Sequence, residues 1–268
     1  MNDAIRAFIL YLQLERGVSS ATHRSYQSDL QQFLAHMQDQ FFGTATDPQP
    51  GAIDALHIRS YLKHLSDQGL QKTSLARKLA CLKSFFRFLL EEGRLSHNPA
   101  AAVRSPRLGT RLPTVLTKDE ATTLLDSPPA QTWIEARNHA ILETLYSSGA
   151  RVSELVGLNA DTVDLETQFI QLRGKGKKER RVPIGTVATE AIREYQRQLP
   201  PLAKPQWRRI SSGPSLRAGS PPLFLNARGG RLTTRSVERL IKRQAGDRFP
   251  KSVTPHTLRH SFATHLLD

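Results

Sequence analysis

Apolar residues recur at three- and four-residue spacing along most of the chain, and the period drops to two in only a short central region. Ile5, Phe8, Ile9 and Leu12 share one helical face, and that helix ends at Gly17. Ser19 or Ser20 can cap a second helix, with Tyr26, Leu30, Phe33 and Leu34 on its apolar face. A loop through Gly43, Pro48, Pro50 and Gly51 precedes a third helix built on Ile58, Tyr61, Leu62 and Leu65, which stops at Gly69. The fourth starts after Thr73 and runs through Leu75, Leu79, Leu82, Phe86 and Leu89 to Gly93. No strand pattern interrupts this stretch, so residues 1–92 are expected to form a small helical bundle. Residues 93–111 lack apolar periodicity, are broken by proline and glycine, and hold Arg94, Arg104, Arg107 and Arg111; they read as a basic linker.

Residues 112–268 predict a second body of mixed structure. Thr117 and Glu120 have capping-box spacing ahead of Leu124 and Leu125. A longer helix carries Ala140, Ile141 and Leu145 and ends near Gly149, and a short helical segment, SELVGL, follows Arg151. Phe169, Ile170 and Leu172 then read as a strand, GKGKK as a turn, and Arg181 to Ile184 as the returning strand of a hairpin. A helix is expected over 186–198, a Pro-, Ser- and Arg-rich loop over 200–222, a second short extended pair in LFLNARGGRLT, and a helix from Ser236 to Gly246. Finally Thr254 can cap, Pro255 suits the first helical position, and Leu258, Phe262 and Leu266 recur at four-residue spacing up to Asp268. That pattern meets no stop signal, so further protein is expected beyond it. The fold class is mainly α with small β-hairpin elements.

Charge narrows the partner. The 268 residues carry a net charge of +14. Residues 1–105 hold 12 Lys and Arg against 9 Asp and Glu, and residues 106–268 hold 26 against 15, so most of the excess lies in the second body. A basic excess suits a polyanion, because each cation that neutralises a phosphate releases counterions. Double-stranded DNA is the leading reading, with acidic lipid and ribosomal RNA left open by the sign alone. No apolar run is long enough for a membrane span. The first helix is amphipathic and unlike a signal peptide, a single cysteine, Cys81, excludes an internal disulfide, and a cytoplasmic location is expected. On the fourth helix Arg77, Lys78, Lys83 and Arg87 alternate with the apolar face; a solvated face and a face laid against DNA are both open readings.

Three separated blocks hold candidate chemistry: GARVSELVGL around Arg151 and Glu154, GKGKKERRVPIG with Lys175, Lys177 and Lys178, and PHTLRHSFATHLLD with His256 and Arg259. Taken singly, Arg151 can pair with Glu154 in an ordinary ion pair, and the lysine turn is open as a solvated loop or as a nonspecific phosphate clamp in which Lys177 and Lys178 contact DNA. The glycine–lysine pattern is not a phosphate-binding P-loop. His256 and His260 lack the intervening glutamate of a zinc motif and flank an arginine, so no metal is expected.

Together, and in this order, the three blocks resemble the tyrosine site-specific recombinases, in particular the bacterial Xer branch, over nearly the whole chain. The resemblance implies a SAM-like helical core-binding domain followed by an α+β catalytic domain, the two forming a clamp on duplex DNA. It implies attack by a tyrosine hydroxyl on a phosphodiester, a 3′-phosphotyrosyl link and a free 5′-hydroxyl, with no cofactor, metal or ATP. Arg151 and Arg259 match the two motif arginines that hold the phosphate oxygens. Lys175 matches the lysine that protonates the leaving oxygen, His256 the histidine that bonds the phosphate or assists proton transfer, and Glu154 the acidic position that orients the first arginine. The family's second His/Trp motif and its tyrosine fall after the third block. Tyr11, Tyr26, Tyr61, Tyr146 and Tyr195 all precede it, so no nucleophile is expected among them and this polypeptide is expected to be inactive for cleavage. By the same resemblance the partners are a second Xer-type subunit in a tetramer and a septal DNA translocase, and the role is chromosome dimer resolution at cell division. A catalytically silent DNA-binding module and a mobile-element integrase are the alternatives.

Overall fold

The computed structural model describes residues 1–107, 109, 114–174, 178–200, 220–249 and 251–267. The chain divides into two compact units, Met1–Arg111 and Leu112–Asp268.

The first unit is a helical bundle of α1 (Asn2–Leu14), α2 (Ser20–Met37), α3 (Ala55–Asp67) and α4 (Lys72–Glu91). Its caps explain its boundaries. The Ser19 hydroxyl accepts from the Thr22 N–H, and the Asp54 carboxylate accepts from Leu56 and His57, each filling donors that a helix start leaves open. Before the expected loop through Gly43, α2 runs on into a single, wider π turn, Gln38–Phe42. The core is strongly aromatic. Phe8 meets Phe85 edge-on at 5.5 Å and Phe33 meets Tyr61 at 5.2 Å, an arrangement that sets the positive ring edge against the negative face. Residues read as a linker contribute to this core: Ala100 and Val103 are buried, and Asn98 donates to the Lys83 carbonyl while accepting from the Ala100 N–H.

The second unit contains α5 (Lys118–Leu125), α6 (Trp133–Ser148), α7 (Val152–Gly157), strands β1 (Val163–Asp164), β2 (Phe169–Arg173) and β3 (Glu179–Pro183), then α8 (Thr186–Gln198), α9 (Thr234–Ala245) and α10 (Pro255–Leu267). The strands form one antiparallel sheet in the order β1-β2-β3. β1 was not anticipated; two residues are too few to display a period. Most of the 200–222 stretch lies outside the described residues, and LFLNARGGRLT pairs only through a single bridge between Leu225 and Arg231. α6 is the axis of this unit. Ala140, Ile141, Leu142, Thr144 and Leu145 are buried on more than one of its sides, and α8 and α10 pack on it. Thr117 and Glu120 make the expected capping box on α5. No helix among the described residues is long and apolar enough to cross a membrane.

Candidate active site

The site is assembled where α6 ends. Gly149 takes a left-handed conformation, φ 56°, and its N–H closes the helix on the Leu145 carbonyl. Glycine suits this turn twice over. It enters the left-handed region without strain, and a β-carbon here would run into the ring of Phe262 on α10. The freed Gly149 carbonyl accepts from the Arg259 guanidinium. One turn therefore seats α10, fixes Arg259 and releases the chain towards Arg151 and α7.

Glu154, in the first turn of α7, organises the cations. Its side chain is 2% exposed, yet all four acceptor positions of the carboxylate are filled. Oε1 accepts from Arg151 Nη1 at 3.1 Å and from Arg180 Nη1 at 2.7 Å; Oε2 accepts from the Arg151 N–H at 2.8 Å and from Arg180 Nη2 at 2.7 Å. Burial by itself pushes the carboxyl up, but the bonds from Arg180 and Arg151 outweigh it and hold the group at about 2. Arg259 stands close enough for its guanidinium to feel the other two arginines. Its pKa is lowered, first by burial and then by repulsion from Arg151, against the pull of Glu154. Three arginines thus gather around one carboxylate, two of them bonded to it, leaving two positive charges uncompensated in a place where water is partly excluded.

Among the residues singled out from the sequence, the structure brings Arg151, Glu154 and Arg259 together. His256 lies one turn before Arg259 on α10 and is exposed. Lys175 and Lys177 lie outside the described residues; Lys178 is exposed beside them, its carbonyl closing the turn on the Gly174 N–H at 2.7 Å. In the first unit Arg87 is exposed and Lys83 half-buried. Lys78 corrects the reading of α4 as an open basic face. It is buried, and its ammonium donates to Asp29 and Gln32, both at 2.8 Å. Arg77 is half-committed in the same way, bound to both oxygens of Asp29 and to the Ser25 hydroxyl. Lys78 is thus a structural ion rather than a phosphate contact.

Arg180 escaped the sequence reading, although a signal was available. Val182 and Ile184 alternate along the returning strand, and one step back on the same register stands Arg180. Its partner across the sheet is the buried Leu172, so its side chain starts on the inward face. The neighbouring Arg181 faces outward and rests 4.4 Å from the Phe169 ring centre. Arg180, Arg259, His260 and Phe262 line one groove of about 760 Å³ that opens beside the cluster. Among the described residues there is no group of three or more His, Cys, Asp or Glu arranged to hold a metal.

Comparison with known proteins agrees with this layout. Residues 114–268 match the Phage integrase family, and residues 5–93 match the Phage integrase N-terminal SAM-like domain. The chain is 40% identical over 272 residues to the tyrosine recombinase XerC of Syntrophus aciditrophicus (strain SB), covering 100% of this chain and 85% of that protein. It is 37% identical over 270 residues to the tyrosine recombinase XerD of Listeria innocua serovar 6a, covering 100% of this chain and 86% of that protein. A solved structure of the Tn1549 transposon integrase in complex with circular intermediate DNA superposes with a TM-score of 0.70 at 18% identity, over 98% of this chain and 86% of that one, which speaks to the fold. With both of its units matched and relatives of this similarity along its whole length, the chain belongs to the phage integrase family and, within it, to the Xer-type tyrosine recombinases, enzymes of site-specific DNA recombination.

Proposed function

We propose that the cluster around Arg151 and Arg259 is the phosphate-binding centre of a DNA strand transferase. The observation that carries this reading is the surplus of positive charge: two guanidinium groups more than the single carboxylate neutralises, beside an exposed His256 on the same helix as Arg259. A phosphodiester gains negative charge on its oxygens as an oxyanion adds to phosphorus, and preorganised donors aimed at those oxygens favour the transition state over the ground state. Planar guanidinium forks suit two non-bridging oxygens better than a point-charge ammonium does. Lys175 delivers the proton to the departing 5′-oxygen, and His256 handles the phosphate or the nucleophile's proton. Glu154 binds no substrate and acts by holding Arg151.

The DNA reading draws on the chain's overall charge and on relatives such as the lambda integrase dimer, which was solved bound to a COC′ core site. In this reading the first unit grips the duplex and the second performs the chemistry. The reaction proceeds through a 3′-phosphotyrosyl intermediate, in the cytoplasm, in a tetramer with a second Xer-type subunit and under a septal translocase, resolving chromosome dimers. None of the five tyrosines is the nucleophile. Tyr195 and Tyr61 are buried in the two cores, and the Tyr146 hydroxyl is bonded to His265 at 2.8 Å. The 268-residue polypeptide is accordingly expected to bind duplex DNA with a steep salt dependence and to form no covalent adduct on a nicked suicide duplex. A 3′-phosphotyrosyl adduct from this polypeptide would overturn the assignment of the tyrosines, and salt-insensitive binding would overturn the phosphate-tracking reading. A purely silent DNA-binding module has no need of Arg151, Lys175, His256 and Arg259 together as a phosphate-directed set, which favours the enzyme.

A further inference from the structure

Arg180 has no role in the chemistry set out above, yet it makes the best-formed ionic contact of the second unit. Both of its terminal nitrogens are spent on Glu154, at 2.7 Å each, in the two-pronged geometry that only a guanidinium supplies. The same carboxylate holds the backbone and the side chain of Arg151. The far end of the hairpin also closes on it: a β-carbon at Gly174 would stand 3.2 Å from Glu154 Oε1. Gly174 is the last described residue before Lys175.

We infer that Arg180 is a positioning residue that acts through Glu154, fixing both the direction of the carboxylate that anchors Arg151 and the seat of the β2–β3 hairpin against it. The inference rests on the proposed phosphate-binding centre, since it is Arg151 that Arg180 ultimately serves. The alternative role, direct contact with DNA, has little to work with, because the Nη atoms that would meet a phosphate already face Glu154. A lysine in its place keeps the charge but supplies one point of attachment in place of two. Glu154 then sits in the same dry surroundings with a weaker partner, and its carboxyl rises into the range where it takes up a proton. A protonated Glu154 no longer accepts all its bonds, and Arg151 is freed to wander.

The test uses the whole chain with its glutamate carboxyl carbons labelled with ¹³C, the Glu154 signal being assigned by its loss in Glu154→Gln. In the parent chain that signal stays flat from about pH 7 to about pH 3. In Arg180→Lys it titrates inside that window, and affinity for duplex DNA falls about tenfold, the worth of one charge-assisted bond, with the deficit widening as the pH drops through the new midpoint. Adding Arg180→Lys to Glu154→Gln costs nothing further, because the carboxylate through which Arg180 acts is already gone. A flat Glu154 signal in Arg180→Lys, or losses that add in the double variant, would overturn the inference. If Arg180→Lys fails to fold, the pair Glu154→Gln with Arg180→Gln, which replaces both ions by amides, takes its place. It must then bind DNA as poorly as Glu154→Gln alone, and any further loss counts against the inference. Failure of the underlying reading looks different: Arg151→Ala and Arg259→Ala would both leave DNA affinity untouched, whatever happens at Arg180.

Discussion

Asp29 in the first unit and Glu154 in the second begin from the same problem, a buried carboxylate, and each draws in two cationic side chains. They end in different places. Asp29 takes Lys78 at 2.8 Å together with Arg77, Gln32 shares the ammonium, and the one positive charge left over sits on the half-exposed Arg77. Glu154 takes Arg151 and Arg180, but Arg259 stands beside them without touching the carboxylate, held by the backbone at Gly149. A buried ion pair is weak evidence of function, because bringing both charges out of water costs about as much as their attraction returns. The informative quantity is the charge left over once pairing is complete. By that measure the Glu154 cluster keeps two positive charges against one at Asp29, and the proposed phosphate-binding centre falls at the larger surplus.

The comparison breaks most sharply at Asp29. Asp29→Ala strands the buried Lys78 ammonium and is expected to cost the first unit about 3–5 kcal/mol, read from denaturant unfolding, while Lys78→Met, similar in volume and apolar, costs far less. Equal losses from the two changes would mean the cluster is not an ion pair that stabilises as a unit. Acid sharpens the comparison next. The Glu154 carboxyl lies at about 2 in the folded chain and near 4.3 in an unfolded one. Its contribution is thus complete above the unfolded value and is lost as the pH falls from there towards 2, about 3 kcal/mol in all. The first unit responds earlier. Burial, and then the neighbouring His64, hold the His36 imidazole below its ordinary pKa, with Asp39 pulling the other way. The unfolded chain takes up that proton first, so this unit weakens as the pH drops through the ordinary histidine range. Circular dichroism at stepped pH, with His36→Gln removing the earlier phase, checks both. The smallest effect is on DNA. Arg151→Ala and Arg259→Ala are each expected to weaken duplex binding by about tenfold, whereas Arg77→Ala, whose guanidinium is already bonded to Asp29 and Ser25, changes it by less than about twofold. Filter-binding titrations at one salt concentration decide the ranking.

How much of this the sequence discloses follows from where the information sits. Helix limits set by local chemistry are legible: Ser19, the Thr117–Glu120 box and Gly149 each act within four residues of the end they fix. Arg151, Glu154 and Arg259 are legible because ordered motif blocks carry them. The two cations that were misjudged share a cause. Lys78 falls three residues after Leu75 and one before Leu79, on the buried face of α4, and Arg180 falls in register with Val182; in both the period pointed inward while the residue type pointed out. Their partners, 49 and 26 residues away in the chain, are invisible to any local pattern. A charged residue on an apolar register is better read as half of an unseen pair than as an exception to the period.

The turn at Gly149 has a consequence for anyone wishing to disrupt this cluster while leaving its electrostatics alone. A single added methyl at that position would meet the Phe262 ring, in a backbone conformation side chains seldom tolerate. To make room, the Phe262 ring must leave its seat on the turn, and with it goes the packing that holds α10, and hence Arg259, against Gly149. One carbon atom, carrying no charge and lying outside the cation cluster itself, would act as a wedge between α10 and the turn that leads to Arg151.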